Sequence, residues 1–267
     1  MTVGRRFERY VAIGDSSTEG LDDPDGAGGF RGWANRLAER IAATQGSLLY
    51  ANLAVRGRRT RQILEEQVAP ATSMRPDLVT VFSGTNDVVA RRFDPEAFGT
   101  DMARMQRPLV ESGATVLTFT LPDLTPVMPM ARWLAPRVRA LNESLRRVSA
   151  ETGAVLVDFA AHPVASDPRL WSEDRLHANA AGHERIAAAL AHALGLAGAG
   201  DDWMDPLPAV RPRTGRERLV AEIAWGRDYL VPWVWRHLRG RSSGDGLHPK
   251  RPVLTSFRLE RDRPIGP

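Results

Sequence analysis

Arg9-Tyr10-Val11-Ala12-Ile13-Gly14-Asp15-Ser16-Ser17-Thr18-Glu19-Gly20 decides how the rest of the chain is read. An apolar run ends at Gly14, and small polar residues follow at once. The β-branched Val11 and Ile13 mark the run as a short buried strand. Gly14 lets the chain turn where a Cβ would clash. Ser16 then stands just past the carboxyl end of a strand, which is where ligands bind in open α/β sheets. A serine so placed becomes a nucleophile only if a base reaches it.

Working outward, the same texture repeats. Leu48 to Leu53, Asp77 to Phe82, Ala114 to Thr120 and Ala154 to Asp158 read as four further strands. Helical periodicity fills the intervals. Trp33, Leu37 and Ile41 carry one stripe, and Ile63, Leu64 and Val68 a second that should stop before Pro70. Pro95 to Ser112 carries the third, with Phe98, Met102, Met105 and Leu109. A long helix follows with Pro136 early and Val138, Leu141, Leu145 and Val148 inward, and Ala180 to Leu194 is an alanine-rich helix. Five strand–helix alternations predict an α/β fold, a three-layer α/β/α sandwich on a flavodoxin-like parallel sheet of about five strands.

Residues 1–197 hold this pattern as one domain, and 198–267 form a C-terminal extension of different texture. Gly198 to Gly200 and Pro206 to Pro212 read as linker. Arg216 to Leu238 is an aromatic helix candidate that Pro232 should kink, and Gly240 to Pro267 reads as polar and irregular. Three roles fit the extension: extra core packed on the sandwich, a lid or wall for an acyl chain, or a membrane-surface segment.

Composition narrows the function classes. Hydrophobic residues make up 43% of 267, enough for a real core. With no cysteine, disulfides, thiolate catalysis and cysteine-type zinc sites are excluded. Lys250 is the only lysine, so 35 of the 36 basic residues are arginine, yet the net charge is only +4. No basic stripe or nucleic-acid motif stands out in the first 195 residues, and nucleic acid is not an expected partner. Met1 to Glu8 lacks the apolar core of a secretory signal, and no apolar run approaches the ~20 residues of a membrane span. The expectation is a cytoplasmic protein without cofactor or metal, since His162, His192, His237 and His248 lack ligand-like spacing.

Three loops at carboxyl ends of strands hold groups suited to acyl transfer. Ser16 follows the first strand, Gly57 the second, in Asn52-Leu53-Ala54-Val55-Arg56-Gly57, and Asn86 the third, in Gly84-Thr85-Asn86-Asp87. Attack of Ser16 on a carbonyl creates an oxyanion. The backbone N–H groups of Ser16 and Gly57 and the Asn86 amide are candidate donors to it. The base expected at this edge is His177, in Asp174-Arg175-Leu176-His177, with Asp174 orienting the imidazole and Asn179 capping the next helix. Ser17 competes for the nucleophile's place and Asp158 for the acid's, while His183 is read as a packing residue. Arg56, Arg58, Arg59 and Arg61 form either a solvated face or an anion-binding one. Gly240-Arg241-Ser242-Ser243-Gly244 fits Gly-x-Ser-x-Gly but lacks the strand-to-helix context that gives that pattern meaning.

With Gly14-Asp15-Ser16, Gly57, Gly84-Thr85-Asn86-Asp87 and Asp174-x-x-His177 in this order, the chain resembles the SGNH or GDSL-type esterases and lipases. The resemblance implies a Ser-His-Asp hydrolase of small or lipid-like esters, with a three-part oxyanion hole and no metal. Ser17 stands where the family's name has leucine, and Arg175 and Ala178 stand where glycine and proline are frequent. An acyltransferase or thioesterase would use the same residues, and a non-catalytic membrane-associated binding module would keep only the fold.

Overall fold

The computed structural model describes residues 6–211, 214–232, 244 and 246–257. Five strands run parallel: β1 (Arg9–Ile13), β2 (Leu48–Asn52), β3 (Leu78–Val81), β4 (Thr115–Phe119) and β5 (Val155–Val157). Their order is β5-β4-β3-β1-β2. Central β1 has Ala51 beside Val11 on one edge and Val79 on the other. Tyr10, Val11, Ala12 and Ile13 are all fully buried, as a strand covered on both faces requires.

The chain steps from β1 outward to β2, then returns past β1 to β3. Right-handed crossovers on either side of that reversal send their helices to opposite faces. Helix α2 (Gly32–Gln45) packs with α7 (Ala180–Ala193), while α3 (Thr60–Ser73) packs with α5 (Pro95–Glu111), and α5 with α6 (Ala135–Thr152). Two one-turn helices, α1 (Ser16–Glu19) and α4 (Thr85–Val88), start close behind β1 and β3. The strand order reverses between those two strands, so the candidate Ser16 and Asn86 loops open at the topological switch point.

Two local expectations fail. Helix α3 does not stop before Pro70 but carries it in its last turn. A proline there forfeits one hydrogen bond near a terminus, while Ala71 beyond it stays fully buried. Gly240 to Pro267 is not irregular throughout. Arg251–Phe257 forms a sixth strand, β6, antiparallel to β2, so the sheet is mixed rather than wholly parallel. It covers an edge that would otherwise expose unpaired backbone. Phe257 meets Tyr50 edge-on at 5.6 Å, and Tyr50 stacks on Tyr10 at 5.0 Å.

The extension reaches the core elsewhere too. Trp203 packs edge-on against Phe159, which continues through Phe119 to Phe82 and Trp33. The aromatic helix candidate is realised as α8 (Gly215–Trp225), which opens into a wider π-type turn over Gly226–Leu230. Residues 233–238 of that candidate, and 240–243 of the Gly240 to Gly244 pattern, lie outside the described residues. Among the described residues no helix is long and apolar enough to cross a membrane.

Gly182 shows how tightly α7 is seated. A Cβ there would stand 2.1 Å from the Leu170 carbonyl oxygen. Gly182→Ala is therefore expected to cost about 1–3 kcal/mol of stability through overpacking, read as a lower urea midpoint with an unchanged m-value.

Candidate active site

Ser16 is set by its neighbours. A Cβ at Gly14 would stand 2.2 Å from Thr18 Oγ1 and 2.6 Å from the Phe82 carbonyl, so only glycine lets the chain pass β3 here. Gln67 grips the Gly14 peptide from α3, accepting from its N–H at 2.8 Å and donating to its carbonyl at 2.9 Å. Asp15 caps α1 by accepting the Ser17 N–H at 3.1 Å. Ser16 thereby becomes the first residue of α1 with its hydroxyl free to face the far loop.

That far loop is closed by its own backbone. Ser172 N–H donates to the His177 carbonyl at 2.8 Å, and Asn179 N–H to Leu170 at 3.0 Å. Asn179 caps α7 by accepting from Ala181 and Gly182. One turn on, the fully buried His183 locks α7 to the Ser16 side of the molecule. Its Nδ1 accepts the Trp33 N–H at 3.1 Å and its Nε2–H donates to Leu21 at 2.9 Å. Both nitrogens are satisfied in the neutral form, and burial pushes its pKa down to about 4.

The result is a line of three groups. His177 Nδ1 lies 2.6 Å from Asp174 Oδ2, and its Nε2 lies 2.8 Å from Ser16 Oγ. With Nδ1–H donating to the carboxylate, Nε2 is bare and accepts the serine hydroxyl. Asp174 Oδ1 accepts the backbone N–H groups of Leu176 and His177 at 2.9 and 3.0 Å. Burial works to raise the Asp174 pKa, but its hydrogen bonds and the imidazole hold it far below the usual carboxylate range. Burial likewise works to lower His177, yet the Asp174 carboxylate outweighs it, and the imidazole ends above its ordinary value.

Asn86 and Gly57 lie on the neighbouring loops. Asn86 Nδ2 donates to Asp15 at 3.2 Å and to the Arg58 carbonyl at 3.0 Å. Gly57, at φ +76°, sits between Arg58 and Arg56, whose guanidinium pairs with Glu19 of α1. Both Asn86 amide hydrogens are thus engaged, one of them on the turn that carries Ser16. A cavity of about 470 Å³ opens at Ser16 and His177. Phe82, Val88, Phe119, Leu121, Met128, Leu134, Val138 and Phe159 line it, with Thr85 at the start of α4 and Arg139, Glu143 and Arg185 among its few charged residues.

A family model described as the GDSL-like lipase/acylhydrolase family matches residues 12–185. The chain belongs to that family. The GDSL lipase Rv0518 of Mycobacterium tuberculosis is 30% identical over 205 residues, spanning 72% of this chain and 83% of that protein. Among solved structures, the α/β hydrolase LAE5 from the Lake Arreo metagenome superposes with a TM-score of 0.60 at 23% identity, covering 70% of this chain and 95% of its own. TesA superposes at 0.59 with 21% identity, covering 70% and 98%. Membership makes the chain an ester hydrolase by class.

The competing assignments find other places within this GDSL fold. Ser17 Oγ accepts from the Trp33 indole at 3.3 Å and has no contact with an imidazole. Asp158 binds Arg146 and Thr120, whereas Asp174 is the carboxylate at 2.6 Å from His177 Nδ1. The arginine cluster is largely spent on carboxylates, Arg56 on Glu19, Arg58 on Glu66 and Arg61 on Asp101. Three residues near the line escaped the sequence reading. Asp22, at φ +65°, brings a carboxylate 3.8 Å from His177 Nδ1. Ser172 Oγ reaches both Asp22 and Asp174, at 2.7 and 2.6 Å. Asp15 is fully buried, and burial raises its pKa to about 7. No spacing rule marks Asp22 or Ser172, because they reach the line only when distant loops fold together, and the block that holds Asp15 does not reveal its burial.

The raised His177 pKa fixes a pH signature. The imidazole is expected to titrate above 6.5 in NMR spectra of the folded protein. Asp174→Asn removes the group that raises it, and the midpoint should move to lower pH. A midpoint unmoved by that substitution would contradict the pairing.

Proposed function

We propose that the chain hydrolyses carboxylic esters through an acyl-enzyme. The observation that carries the reading is the continuous contact from Ser16 through His177 to Asp174 at the mouth of an apolar cavity. Ser16 Oγ attacks the ester carbonyl carbon, and His177 Nε2 takes the hydroxyl proton. The imidazolium formed is stabilised by Asp174, which stays ionised. Collapse of the tetrahedral intermediate breaks the ester C–O bond, and His177 returns its proton to the departing alkoxide. Water then attacks the acyl carbon with His177 again as base, releasing the acid and regenerating Ser16.

The oxyanion is assigned to the N–H groups of Ser16 and Gly57 and the Asn86 amide. A donor of this kind is typically worth about 3–4 kcal/mol in the transition state. For Asn86 to serve, one of its two hydrogens must leave Arg58 or Asp15 for the substrate oxygen. Residues 1–197 supply every group in this scheme, and Trp203, α8 and β6 of the extension pack upon them. The aromatic and aliphatic lining supports an apolar acyl group of small to medium length.

Two measurements test the reading with p-nitrophenyl esters. Ser16→Ala should lower kcat by about 1,000-fold or more while leaving the fold intact. Across acetate, butyrate and hexanoate, kcat/KM should rise by about tenfold or more as methylenes enter the cavity. Equal turnover in Ser16→Ala would remove the mechanism, and a flat or falling series would remove the acyl assignment.

A further inference from the structure

We infer that helix α8 positions the acid–base pair: Trp225, flanked by Glu222 and Tyr229, holds the Glu173–His177 turn in the register that presents His177 to Ser16. The inference rests on the proposed roles of Ser16, Asp174 and His177. It concerns a segment outside the family match, which ends at residue 185.

Three successive residues of the turn are each held from α8 or the turn that continues it. Tyr229 Oη donates to Glu173 Oε2 at 2.7 Å. Trp225 Nε1–H donates to the Asp174 backbone carbonyl at 3.2 Å. Arg175 Nη1 lies 2.8 Å from both carboxylate oxygens of Glu222, and its guanidinium carbon stands 4.7 Å from the Trp225 ring centre. Spacings of three and four residues put Glu222, Trp225 and Tyr229 on one side of the helix.

The burial pattern singles out this face. Trp225 is 9% exposed, while Val220 and Ile223 of the same helix are 60% and 65% exposed. Among the described side chains of the helix, the best-buried one therefore rests on the turn that carries Asp174. That turn needs outside support. Arg175 adopts φ +62°, a conformation that residues with side chains keep only when their surroundings hold it. The exposed Arg175–Glu222 ion pair adds little alone. The indole fixes the turn through a hydrogen bond to its main chain and a stacked guanidinium. Trp225 is not among the residues that line the cavity, and its hydrogen bond goes to the Asp174 main chain, so it acts through Asp174 and His177.

The test uses the full chain and a p-nitrophenyl ester. Trp225→Phe keeps a ring for Arg175 but deletes the indole donor, and Tyr229→Phe deletes the hydroxyl. The charged groups facing His177 are Asp174 on its own turn, Asp22 and Asp15 from the nucleophile's side, and His183 on α7. Neither variant changes any of them. Trp225→Phe is expected to lower kcat about fivefold with KM within about twofold, the scale of one lost hydrogen bond. The acid limb of kcat should move to lower pH, because a looser Asp174 contact makes the imidazole less basic. Tyr229→Phe should shift both in the same direction by less. A folded Trp225→Phe with an unmoved acid limb overturns the inference, whatever its melting temperature. Should Trp225→Phe fail to fold, an unmoved limb in Tyr229→Phe overturns it instead. Ser16→Ala separates the two levels: full turnover there removes the hydrolase mechanism itself, whereas an inactive Ser16→Ala beside an unaltered Trp225→Phe removes only the role of α8.

Discussion

A 2.8 Å contact joins a hydroxyl at residue 16 to an imidazole 161 residues further along the chain. Neither residue can hold that distance by itself. On one side, β1 sits at the centre of the sheet, and Gln67 and Asp15 fix the turn that follows it. On the other, Asn179 and His183 lock α7 to its own loop and to α2. A buried histidine that never titrates near neutrality is thus what registers the one that should. A shift of about 1 Å in such a geometry can cost a hundredfold in rate, so most of the machinery around the site is positional.

The electrostatics follow the same division of labour. Asp174 keeps its charge because four groups donate to or face it, and that charge raises the basicity of His177. Asp15 lies deeper and has no arginine, so burial leaves it close to half-protonated near neutral pH. Its carboxyl holds the Asn86 amide, which makes it the link between the serine turn and the third loop. The extension adds a further layer. Lys250 spends its ammonium on the carbonyls of Glu19, Phe30 and Arg31, β6 closes the β2 edge, and Trp225 rests on the histidine turn.

The five parallel strands were legible because each is a short β-branched or apolar run, closed in the first three by glycine, asparagine or serine, and buried strands must look that way. Ser16, Gly57, Asn86, Asp174 and His177 stood out as candidates for a related reason: each lies in a loop or turn beside an element's end, and their order matches a known set of blocks. What escaped was long-range. Arg251–Phe257 carries a proline and three polar residues, and only the open edge of β2 makes it a strand. Pro70 looked like a helix stop, but the burial of Ala71 carries α3 past it. Asp22 comes to His177 from 155 residues before it and Trp225 to Asp174 from 51 after, and no local pattern encodes such meetings.

The central claim is that the imidazole makes Ser16, and no other hydroxyl, a nucleophile. Treatment with a diethyl p-nitrophenyl phosphate ester, followed by intact-mass and peptide mass spectrometry, tests it most directly. The account predicts one diethylphosphoryl group per chain, on Ser16, and none when His177 is replaced by alanine. Adduct on Ser17 or on scattered residues, or equal labelling of Ser16 without His177, would contradict it.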